Sequence, residues 1–112
     1  YDLKQTVENF EEKKMGAISI AEVRRKLIPG TVYLGEFIGE VNRRLCAPGM
    51  ECTRRRIVKN NATEMVSEML TGPKQGHQIF NSWKGVKAEE EGDDIVLFNE
   101  GDKYLKITIC PR

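Results

Sequence analysis

The sequence predicts a mainly β fold of the α+β kind, preceded by a helical N-terminal segment. Three observations carry this. From Thr31 onward the chain is rich in β-branched and aromatic residues, cut into short runs by Gly, Pro and Asn. The last run, Lys103-Tyr-Leu-Lys-Ile-Thr-Ile-Cys110, alternates with Leu105, Ile107 and Ile109 on one face. Helical spacing is confined mostly to the first thirty residues. The expected division is residues 1–30 as a helical extension and 31–112 as one β domain, a size that suits a single core.

Taken in order, Leu3, Val7 and Phe10 fall at helical spacing within 3–15, and Gly16 breaks that run. A second helix is predicted over 19–28, with Ser19 as N-cap and Glu22 three residues on, as in a capping box; Pro29-Gly30 ends it. Residues 31–42 read as a long first strand that Gly35 and Gly39 allow to bend. Residues 50–59 form the second strand. The stretch 63–71 fits either a helix capped by Asn61 or a strand; the short Asn60-Asn61 connection favours a hairpin with 50–59. A short helix is expected over 77–85, which places Ile79, Phe80 and Trp83 on one side as core, followed by a polar, acidic stretch over 86–94. Strands at 95–99 and 103–110 close the domain through a Glu100-Gly101-Asp102 turn.

Charged residues make up 31% of the chain, yet the net charge is only +1, so basic surface can arise only by local clustering. The acidic run Glu89–Asp94 would repel a polyanion and confine any such surface to the other end of the domain. Cys46, Cys52 and Cys110 match no metal-ligand spacing. They read as reduced thiols of an intracellular protein, nuclear or cytoplasmic, with a Cys46–Cys52 disulfide as the alternative. His77 is the sole histidine and has no evident catalytic partner, and no phosphate-loop, dinucleotide or nucleophile-elbow pattern occurs. An enzyme, a cofactor and a zinc site are therefore not expected, and no apolar run is long enough to cross a membrane.

Three phrases, "AISIAEVRRKLIPGTVYLGEFIGEV", "RRRIVKNNATEMVSEMLTG" and "EEEGDDIVLFNEGDKYLKITI", are similar in their order to the opening, the central hairpin and the closing pair of OB-fold domains, over about residues 16–110. The tail from Trp83 to "LKITI" also resembles the end of plant B3 DNA-binding domains, and "APGMEC … SWKG" is similar to SAND domains. The OB resemblance implies a five-stranded barrel that binds single-stranded DNA or RNA. In such a barrel Arg43, Arg44, Arg54, Arg56 and Lys59 would line a positive groove. Tyr33 and Phe37 on the first strand, and Tyr104 on the last, would offer aromatic faces for base stacking, although each also fits the core. The arginines fit equally well as solvated partners of Glu36, Glu40, Glu51, Glu64 and Glu68. The alternative function is an OB-type adaptor that holds protein partners through its N-terminus or an exposed sheet face.

Overall fold

The computed structural model describes residues 16–39 and 48–111. The expected helix over 3–15 and the end of the long first strand lie outside these. The described chain is mainly β: β1 (Ala17–Ile18), α1 (Ile20–Lys26), β2 (Val32–Phe37), β3 (Cys52–Asn60), β4 (Glu64–Met69), β5 (Gln78–Ser82), β6 (Val86–Glu91), β7 (Asp94–Asn99) and β8 (Asp102–Ile109). All strand pairs are antiparallel, in one sheet of order β1-β6-β7-β8-β2-β3-β4-β5. Among the described residues the sheet therefore has eight strands where five were expected. Its outer strands β1 and β5 are not paired with each other, so hydrogen bonding does not close it into a barrel.

Local chemistry explains the elements. The Ser19 hydroxyl accepts from the Glu22 amide, and Arg24, Arg25 and Lys26 occupy the last turn of α1, where they favour the negative end of its dipole. The Lys26 ammonium also meets the Glu90 carboxylate on β6. The β3–β4 hairpin forms because the Asn61 side-chain oxygen accepts from the amides of Thr63 and Glu64, at 2.9 and 3.0 Å. The reading of 63–71 as a strand thus holds. At the β7–β8 hairpin, Glu100 and Gly101 both take positive φ, 53° and 85°, the conformation of a tight two-residue turn whose twist suits the flanking strands.

Two segments differ from expectation. Residues 78–82 form a strand in place of a helix: Ile79 and Asn81 point inward as Gln78, Phe80 and Ser82 point out. The acidic stretch is also a strand, β6, in which Val86 and Ala88 face the core and the charges line the rim. One face of the sheet, together with α1, encloses the core. Val23 and Leu27 from α1 pack there with Tyr33, Ile57, Met65, Trp83, Val86, Ala88, Ile95, Leu97, Leu105 and Ile107. Burial of such aliphatic side chains stabilises by roughly 1.5–3 kcal/mol each. The segment first set apart as an extension thus supplies, between 17 and 27, a strand and a helix of the same core.

Candidate nucleic-acid interface

Strand alternation sorts the predicted contact residues onto two faces. On β3, Thr53, Arg55 and Ile57 point into the core, and Arg54 and Arg56 point out. A bulge at Val58, where the β3–β4 register shifts between Ile57 and Lys59, returns Lys59 to the outward face. Cross-strand pairing then builds two rows on the outward side, Arg56–Glu68–Gln78 and Lys59–Val66–Phe80, in the second of which Val66 is itself buried. Phe80 is 64% exposed and Val58 45% exposed, both unusual for large apolar side chains. Arg54, Arg56, Lys59 and Phe80 therefore share one surface.

That surface is mixed in charge. Arg56 pairs with Glu68 at 3.3 Å and Lys59 with Glu64 at 3.9 Å; both pairs are solvent-exposed, so each is a weak constraint. Arg54 has no carboxylate partner among the described residues. The acidic residues from Glu89 to Asp94, on β6, its turn and the start of β7, lie three to six strands away across the sheet order, so the longest acidic run sits in the other half of the sheet.

The remaining predicted residues lie elsewhere. Tyr33 is fully buried, and its hydroxyl and that of Ser67 share a hydrogen bond at 2.7 Å, so its ring offers no face for stacking. Phe37 also points inward, packed against the core and against the Arg55 guanidinium. Tyr104 is the extra residue of a bulge where the β7–β8 register shifts between Leu97 and Phe98. It is half-buried, and burial pushes its phenol up to about 12. Arg43 and Arg44 lie outside the described residues. Cys52 and Cys110 are free thiols, so Cys52 joins no disulfide. Among the described residues no group of His, Cys, Asp and Glu is placed to hold a metal ion, and no helix is long and apolar enough to cross a membrane.

Phe80 differs from expectation: helical spacing puts it in the core, whereas it holds the outward phase of Gln78-Ile-Phe-Asn-Ser82. Arg55 is wholly buried, and Trp83 is anchored by a polar chain in which its indole N–H donates to Asn60, whose amide donates to the Leu27 carbonyl, each at 3.0 Å. No family model matches the chain, and comparison with curated proteins and with solved structures likewise returned no match.

Proposed function

We propose that the chain is a nucleic-acid-binding module whose contact surface is the outward face of β3, β4 and β5. The observation that carries this reading is the exposed Phe80 ring on the same face as Arg54, Arg56 and Lys59. An aromatic ring beside guanidinium groups gives the two elements of single-strand recognition: a stacking face, worth about 1–3 kcal/mol per base, and cations that track the phosphate backbone. The acidic run from Glu89 to Asp94 lies away from this half of the sheet, where Glu64 and Glu68 are each paired with a cation, which leaves this half the more favourable for a polyanion. Phe80 takes the stacking role first expected of Tyr33 and Phe37. The likeness to OB domains supports the same mode of binding, by charge and stacking on a sheet; DNA and RNA are equally compatible with it.

A labelled single-stranded oligonucleotide titrated at low salt tests the reading. The pair Arg54→Ala with Arg56→Ala is expected to weaken binding and to reduce the salt dependence by about 1.4 in the log–log slope, two phosphate contacts at about 0.7 each. Phe80→Ala is expected to weaken binding about fivefold or more without changing that slope. Absence of binding by the parent chain at low salt removes the proposal.

A second reading, an adaptor for protein partners on the same face, is favoured by the Arg56–Glu68 and Lys59–Glu64 pairs and by the exposed Val58. Mixed charge around apolar anchors is a common composition of protein interfaces. Loss of partner binding in Phe80→Ala, with no oligonucleotide binding by the parent, supports it in place of the first.

A further inference from the structure

On the inward face of the sheet, opposite the surface just described, Arg55 is 0% exposed. Its Nε donates to the Thr53 hydroxyl at 3.0 Å, but neither of its Nη atoms has a hydrogen-bond acceptor among the described residues. No carboxylate among the described residues forms an ion pair with it. A buried guanidinium left in this state is costly. The surroundings hold it in place all the same. The guanidinium carbon lies 5.1 Å from the Phe37 ring centre and 6.0 Å from that of Tyr33. It rests over Gly35, the one residue of β2 without a side chain, which alone leaves room for it. Thr53 holds Nε, and the guanidinium carbon lies over both rings. The two Nη groups are thus left as a fork without an acceptor among the described residues.

We propose that Arg55 is the recognition group of an internal site for a monocarboxylate that carries an apolar body. A guanidinium fork matches the two oxygens of a carboxylate in a bidentate pair. The charge selects the ligand class. Around the fork stand Tyr33, Phe37, Thr53 and, in register with Gly35, Ile107, none of them cationic. One buried positive charge is neutralised by one negative charge; a phosphate dianion would leave a net charge in an apolar interior. The aromatic and aliphatic neighbours suit an aromatic or alkyl group behind the carboxylate better than a small hydrated anion. Because Arg55 is fully covered, entry requires local opening of the fold, and exchange is slow. The site lies on the other face of the sheet from Phe80, so its fate is independent of the proposed nucleic-acid surface.

Thermal unfolding of the full chain with sodium benzoate and sodium decanoate tests the site, with sodium phosphate and sodium chloride at matched ionic strength as controls. The proposal expects at least one of the two carboxylates to raise the unfolding midpoint saturably, by about 4 °C or more, and phosphate and chloride not to. Arg55→Met, which removes the charge and keeps an unbranched chain, is expected to abolish the response. Arg55→Lys, which keeps the charge without the fork, is expected to reduce it, and it serves where the Met variant does not fold. In the parent chain, a distinct Arg55 Nε–H resonance in slow exchange with the free-state signal is expected on adding the responding carboxylate. A parent midpoint unmoved by both carboxylates, an equal response to phosphate, or a full response retained in the Arg55 variants overturns the proposal.

Discussion

The Arg55 guanidinium occupies the space in which a side chain at Gly35 would stand: a Cβ built on Gly35 falls 2.7 Å from the guanidinium carbon. Gly35 and Arg55 are therefore a steric pair across β2 and β3. Gly35→Ala is expected to destabilise the fold by about 1–2 kcal/mol, because the displaced guanidinium gives up its Thr53 hydrogen bond and its place against Phe37. Removing the obstruction with Arg55→Met should relieve most of that loss. Denaturant unfolding of the two single variants and the double variant measures the coupling, and additivity would show that the two residues do not compete for this space.

The Tyr33–Ser67 hydroxyl pair joins β2 to β4 across β3, within the core. Tyr33→Phe leaves the Ser67 hydroxyl buried without that partner and is expected to cost about 1–2 kcal/mol. Ser67→Ala is expected to cost a similar amount, and the double variant less than the sum. Chemical denaturation of this cycle checks the pair; independent effects of the two variants would refute it.

The Trp83–Asn60–Leu27 chain ties the end of β5, the end of β3 and the end of α1 at a single side chain. Asn60→Ala strands the indole N–H and a helix-terminal carbonyl together. The expected loss is about 2 kcal/mol, with a red shift of the emission of Trp83, the sole tryptophan. Fluorescence-monitored unfolding reads both at once, and unchanged emission with unchanged stability contradicts the role given to Asn60.

The elements legible in the sequence are those with local signals. Ser19 announces α1, Asn61 the β3–β4 turn, and the Leu105–Ile107–Ile109 alternation β8. Strand alternation also accounts for Arg55 lying on the face opposite Arg54 and Arg56. What the sequence hid has a common cause: neighbours distant in the chain decide which face is covered. Ile79, Phe80 and Trp83 fit a helical spacing, and only pairing with β4 makes 78–82 a strand with Phe80 outward. The polar, acidic stretch gives no strand signal because only Val86 and the small Ala88 of β6 are buried. Tyr33 resembled a surface aromatic because nothing local reveals Ser67, a hydrogen-bond partner thirty-four positions later. That an arginine at 55 would be wholly buried has no sequence signal, because the space it fills is made by a glycine on another strand.

Tyr104 makes the stability of the fold fall with alkali. Its phenol is pushed from 10.0 to about 12 by burial, so the folded chain holds that proton more tightly than the unfolded one. Its contribution is complete below pH 10 and is lost as pH rises from 10 to about 12, since the unfolded state ionises first. Tyr104→Phe is expected to flatten this part of the stability–pH profile relative to the parent. Denaturant midpoints measured across that range, with phenolate absorbance followed in parallel, check the sign; identical profiles contradict it.

Amide chemical-shift mapping on adding a single-stranded oligonucleotide tests most directly whether the outward face of β3, β4 and β5 is the binding surface. Shifts are expected to cluster at Arg54, Arg56, Lys59 and Phe80, with the inward Tyr33 and Ile57 and the acidic β6 little affected. Shifts centred on β6 and β7, or none at any strand of this face, would contradict it.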